Sequence, residues 1–244
     1  MIGRSPTISS IEESLKKAFQ TQQEKNVRVD RKIHYRFGYG ADLETLYLTD
    51  KVKLVGIMFC HPDSEISSKQ IIPRLEYLQN RSGEHTDLFW GGYEPFMEGH
   101  VPSEVRVVKV VGGTVWGFSE AAFNSFRAEI EGRTTWKYSG ETDLLLVTAR
   151  FDQETKKPYL DFSETLVCDL DRMLRQGAIT SVPRFLEDVF RFGERYPSGD
   201  VFDFSDLKFV ESTKKTLWNW FLDLLKVRGY FERTEPFAIR NISK

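Results

Sequence analysis

The chain has 244 residues, 40% of them hydrophobic and 29% charged, which is the composition of a globular protein rather than of a disordered one. Its 34 Lys and Arg residues nearly balance its 36 Asp and Glu residues, giving a formal net charge of −2, so the charge does not indicate a nucleic-acid partner. No apolar stretch is long enough to span a bilayer, and the first residues lack the apolar core of a signal peptide, so we expect a cytoplasmic protein without a membrane partner.

The cysteine and histidine residues argue against a metal site. The two cysteines, Cys60 and Cys168, form no CxxC pattern and stand beside apolar residues, which predicts reduced, at least partly buried thiols. The four histidines show none of the spacings that zinc ligands have. We therefore expect no metal and no cofactor.

The first predicted element is an amphipathic helix within residues 9–25. Ser10 and Glu13 form a capping box, and an apolar stripe begins at Ile11. The apolar face of this helix either docks on the domain or is available to a partner.

A β-α-β unit follows. The run from Val52 to Phe59 is apolar beyond Lys53, as in a strand that is covered on both faces. A helix is predicted from near Lys69 to a stop at Gly83, and a second strand is predicted over residues 86–93. Such a unit places its two strands parallel.

The next segment, residues 104–118, forms either one strand or two strands joined at Gly112 and Gly113. Ser119 is the predicted N-cap of the following helix, with Phe118 and Phe123 in the positions of a hydrophobic staple. Beyond this helix we predict one strand and three helices: strand 143–151 and helices Ser163–Arg175, Val182–Tyr196 and Lys214–Arg228.

The order of these elements predicts a single α/β domain over residues 1–244. We expect a three-layer sandwich with a largely parallel central sheet, a mixed sheet being the alternative, and a mainly helical C-terminal layer over residues 160–244.

Polar side chains follow the predicted central strand. In open α/β sheets, ligands bind outside the carboxyl ends of the strands, so Asp63 and Glu65 are candidate catalytic acids or bases and Ser64 is a candidate ligand contact. The alternative is an ordinary polar turn that caps the next helix. Cys60 and His61 are not predicted to act as nucleophile and base, because adjacent side chains on an extended backbone point to opposite faces.

The second strand of the unit supplies further candidates. Asp87 is a third candidate catalytic carboxylate, and Arg81 is a candidate ligand contact before the strand. Trp90 and Tyr93 are candidates for stacking on a base or ring, next to the paired glycines at 91–92 that let backbone approach a ligand. The alternative is a strand end that binds nothing.

A third polar segment, residues 133–143, contains Trp136, Lys137, Tyr138 and Glu141. These residues form either a binding surface or a turn with a half-buried tryptophan. In a parallel sheet the segment lies at the end opposite Asp63, and it lies at the same end only if the strand that follows it is antiparallel.

The order of strand, acidic loop, helix and second strand with a polar carboxyl end resembles the beginning of nucleoside deoxyribosyltransferases and of Toll/interleukin-receptor-like domains. The resemblance covers this unit alone, without a counterpart of their catalytic glutamate later in the chain. It implies an α/β fold with a carboxylate near an N-glycosidic bond.

Two functions remain open from the sequence. The leading hypothesis is a protein that binds a nucleotide- or nucleoside-like small molecule at the carboxyl edge of the sheet and acts on an N-glycosidic bond. The alternative is a non-enzymatic adaptor or subunit that binds a protein partner through its aromatic terminal helices, with Trp218, Trp220 and Phe221 on the C-terminal one.

Overall fold

The computed structural model describes residues 6–17, 52–83, 86–152, 154–155, 157–195 and 237–244. The predicted helix Lys214–Arg228, the end of the predicted N-terminal helix and the aromatic residues proposed for a protein partner lie outside these ranges.

Eight strands and five helices occur in the described part of the chain. In chain order they are α1 (8–17), β1 (Val52–Phe59), α2 (Leu75–Arg81), β2 (Thr86–Trp90), β3 (Tyr93–Met97), β4 (Arg106–Val111), β5 (Thr114–Phe118), α3 (Glu120–Arg133), β6 (Asp143–Asp152), β7 (Lys157–Asp169), α4 (Leu170–Arg175), α5 (Val182–Arg195) and β8 (Phe237–Arg240). A π-helical turn (Ser67–Ile71) and a 3₁₀ turn (Ile72–Arg74) lead into α2.

The main sheet has five strands in the order β2-β1-β6-β7-β8. The pair β1–β2 is parallel, as the β-α-β unit predicts, whereas β1–β6, β6–β7 and β7–β8 are antiparallel. The expectation of a largely parallel sheet is therefore wrong, and the mixed alternative is confirmed. One physical reason is the short connection between Asp152 and Lys157, because a tight turn can join only antiparallel neighbours. The three-layer arrangement stays a prediction.

The predicted helix Ser163–Arg175 is wrong over its first half. β7 continues to Asp169, pairing with β6 on one side and β8 on the other, and the helix α4 begins only at Leu170. The cap is also different: Asp169 accepts a hydrogen bond from the N–H of Arg172 at 2.9 Å, while the Ser163 hydroxyl is bound to Asp161 at 2.5 Å. The stretch expected to be mainly helical from residue 160 thus begins as a strand.

A second, three-stranded sheet has the order β3-β5-β4. Residues 104–118 therefore contain two strands rather than one. Gly112 and Gly113 join them with φ angles of 57° and 79°, and positive φ at both central residues is what a type I′ hairpin turn requires.

The local signals of α3 are confirmed, whereas the predicted capping box of Ser10 and Glu13 is wrong. Helix α1 begins at residue 8, and the capping pair is Thr7 and Ser10: the N–H of Ser10 donates to the Thr7 hydroxyl at 3.1 Å and the N–H of Thr7 donates to the Ser10 hydroxyl at 2.8 Å. The Ser119 side chain accepts a hydrogen bond from the N–H of Ala122 and caps α3, and the rings of Phe118 and Phe123 lie 5.6 Å apart as a staple. The helix α1 docks on the domain: its apolar residues are buried, and the N–H of Ile8 donates to Glu129 of α3 at 3.1 Å. Within the described ranges, no helix combines the length and apolar character needed to cross a bilayer.

The C-terminal residues belong to the main sheet. β8 pairs with β7 from Thr165↔Arg240 to Cys168↔Phe237. Just beyond it, the N–H of Ile242 donates to the carbonyl oxygen of Phe162 at 3.1 Å. These bonds cover the edge of β7 that faces away from β6.

Candidate functional site

One end of the main sheet collects polar segments from several parts of the chain. Phe59, the last residue of β1, pairs with Asp143, the first residue of β6, which pairs with Asp169, the last residue of β7. β2 ends at the same level, since Trp90 pairs with Met58. The third polar segment therefore lies at the end where β1 and β2 finish, as the antiparallel alternative predicts. We call this the acidic end.

Four carboxylates meet at the acidic end: Glu141, Asp143, Asp169 and Asp171. Glu141, Asp169 and Asp171 each offer an oxygen atom, and these three atoms lie within 4.8 Å of one another. Asp143 is 2% exposed and pairs with Asp169 in the sheet register, and the charges of Asp169 and Asp171 act on it. Glu141 and Asp143 come from "ETD" at the start of β6, and Asp169 and Asp171 come from "DLD" at the end of β7. Sequence reasoning missed the second pair because it assigned residues 163–175 to one helix.

Three of these carboxylates have hydrogen-bond partners at the acidic end itself. Arg175 binds both oxygens of Glu141, at 3.0 and 2.8 Å. Asp171 accepts the N–H of Thr142 at 2.8 Å, and Asp143 accepts the N–H and hydroxyl of Ser139 at 2.9 and 2.8 Å. Main-chain and hydroxyl groups thus provide much of the hydrogen bonding at this end.

Burial and like charge act on the deepest carboxyl group. Burial raises the pKa of Asp143 to about 6, the two hydrogen bonds from Ser139 oppose the rise, and the charges of Asp169 and Asp171 add to it. Burial likewise raises the pKa of Asp169. A carboxyl group that titrates near neutral pH is suited to proton transfer.

The predicted residues Asp63 and Glu65 are exposed and Ser64 is partly exposed, and each of the three has a hydrogen-bond partner within the protein. Asp63 binds the guanidinium of Arg106 at 2.7 Å, and this hydrogen bond lowers the pKa of Asp63. Glu65 binds Lys69 at 2.8 Å and its side chain is 77% exposed. Ser64 accepts the N–H of Ser67 at 3.1 Å. The contacts of Ser64 and Glu65 are those of a polar turn that leads into a helix, whereas the contact of Asp63 joins this turn to β4 of the second sheet.

Cys60 and His61 lie in different environments, the first in the protein interior and the second at the surface. Cys60 is fully buried, where burial raises its pKa to about 12. His61 lies at the surface, with Nε2 2.9 Å from Glu120 and Nδ1 3.5 Å from Asp63. The thiol is therefore neither ionised nor accessible at neutral pH, which agrees with the expectation that the two residues do not form a nucleophile and base.

Two other predicted residues, Asp87 and Arg81, are held in ion pairs elsewhere. Asp87 is the second residue of β2, so it lies at the end where the strand begins, and its carboxylate is 2.9 Å from Lys53. Lys53 also donates to the carbonyl oxygen of Gly83. Arg81 binds two glutamates of α5. The structure does not bring Asp87 together with Asp63 and Glu65.

The predicted stacking residues are inside the protein. Trp90 is 3% exposed and Tyr93 is 4% exposed, and the Tyr93 hydroxyl is 2.8 Å from that of Ser67. In the third segment, Trp136 is buried and stacks on Phe59 with 5.0 Å between ring centroids, while Lys137 is exposed beside Glu131. A ligand cannot stack on a buried ring without rearrangement, so these aromatic residues are core in the observed conformation.

Comparison of the chain with family models, with curated proteins and with solved structures finds no match. The resemblance to nucleoside deoxyribosyltransferases and Toll/interleukin-receptor-like domains therefore stays a prediction. The adaptor hypothesis also stays a prediction, since its aromatic C-terminal helix lies outside the described residues.

Proposed function

We propose that the protein binds a nucleoside- or nucleotide-like small molecule at the acidic end of its sheet and acts on an N-glycosidic bond. In this proposal Glu141, Asp169 and Asp171 contact the ligand, and they replace Asp63, Glu65 and Asp87 as the principal carboxylates. The observation that supports it is the meeting of these three side chains, from two separate segments, at the end where both parallel strands finish.

The carboxylates suit the sugar part of such a ligand. An ionised carboxylate accepts hydrogen bonds from ribose hydroxyl groups, as acidic residues of dinucleotide-binding folds do. The same charge repels a phosphate unless a cation lies between them. We therefore expect an uncharged nucleoside to bind more tightly than its phosphate in the absence of a divalent cation.

Hydrolysis of an N-glycosidic bond needs a proton for the departing base, stabilisation of positive charge on the sugar, and a water molecule whose oxygen bonds to the anomeric carbon. Asp143, with its pKa raised to about 6, supplies a carboxyl group that is partly protonated near neutral pH. Asp169 and Asp171, whose charges act on Asp143, supply negative charge.

The experiment is a thermal-shift and product assay with a panel of nucleosides, their monophosphates and NAD, with and without Mg²⁺. We expect a stabilising shift with at least one nucleoside and its loss in the variants Glu141→Gln and Asp171→Asn. The matched control is Glu154→Gln, which removes one exposed charge at the turn between β6 and β7, at the other end of the sheet. Absence of any shift and of any released base across the panel would contradict the proposal, as would equal loss in the control.

A further inference from the structure

We draw no further inference here: the strongest candidate, the exposed patch of the three-stranded sheet around Val107 and Val110 on the edge strand β4, carries none because nothing in the described part of the chain shows what covers it.

Discussion

The two ends of the main sheet hold their carboxylates in different ways. Where β1 and β2 begin, Asp87 lies 2.9 Å from Lys53, and Asp161 lies 2.7 Å from Arg150. We call this the ion-paired end. At the acidic end, carboxylate oxygens of Glu141, Asp169 and Asp171 lie within 4.8 Å of one another. Pairing each buried charge is what stability requires, whereas crowded like charges reduce it, and such arrangements are concentrated at functional sites.

The largest expected effect comes from breaking a pair at the ion-paired end. Lys53→Met removes the cation beside Asp87 while keeping the apolar stem, and the carboxylate is then buried without a partner. We expect a loss of roughly 3–5 kcal/mol in the free energy of unfolding, measured by urea denaturation at neutral pH. The double variant Lys53→Met/Asp87→Asn should recover part of this loss. A loss below about 1 kcal/mol in the single variant would show that the pair is not desolvated.

At the acidic end, Asp143→Asn should change how stability depends on pH. The pKa of Asp143 is about 6 in the folded protein against an ordinary value of 3.8, so its ionisation lowers stability as the pH rises through this interval. Relative to the variant, the wild type should lose up to about 3 kcal/mol between acid and neutral pH. The measurement is urea denaturation at a series of pH values.

Asp161→Asn at the ion-paired end is the matched control for this pH series. The pKa of Asp161 lies below its ordinary value of 3.8. Burial alone would raise this pKa, but the hydrogen bonds from Ser163 and Arg150 together lower it by more. Its contribution to stability is therefore present above this pH and lost as the pH falls. The difference in free energy of unfolding between wild type and variant should therefore fall with pH for Asp143→Asn and rise with pH for Asp161→Asn. Equal slopes would contradict the distinction between the two ends.

A smaller effect is expected for the ion pair on the surface of the acidic end. Glu141→Gln removes the partner of Arg175, but both side chains are partly exposed. We expect at most about 1 kcal/mol of change in stability, and less at high salt, because solvent and ions screen such pairs. Thermal unfolding at low and high ionic strength measures it. A larger loss of ligand binding than of stability would support a direct contact between Glu141 and the ligand.

The smallest effect on stability is expected for a substitution of Glu65, which does not belong to the four carboxylates of the acidic end. Its pair with Lys69 is exposed and spans one helical turn, so Glu65→Gln should leave the free energy of unfolding nearly unchanged. If Glu65 belongs to a polar turn, ligand binding should be unchanged as well. A loss of activity with unchanged stability would restore Glu65 as a catalytic candidate and move the site toward the surface loop.

Elements with local signals were predictable from the sequence. The Ser119 cap, the staple of Phe118 and Phe123, and the stop at Gly83 depend on residues a few positions apart. The strand β7 was not predictable in the same way, because "SETLV" fits the start of a helix until β6 and β8 pair on both sides of it. Whether such a segment forms a strand or a helix depends on distant pairing partners, and a short stretch of sequence does not show them.

The candidate site was likewise only partly predictable, because its position depends on residues that are distant in sequence. The polar segment before β6 was recognised, but its place depended on the direction of β6, which local patterns do not specify. Asp169 and Asp171 were not recognised as candidates, because the predicted helix Ser163–Arg175 did not place them at the end of a strand. Asp87 is a different case: it stands at the beginning of its strand, so its position in the sequence already argued against the carboxyl edge.

The pairing of β8 with β7 also bears on how the chain folds as it is synthesised. Thr165 pairs in the sheet register with Arg240, which is synthesised long after β7 itself. Until then, β7 has an open edge that can pair with another chain. The main sheet is therefore completed late, and a nascent chain in this interval is exposed to aggregation.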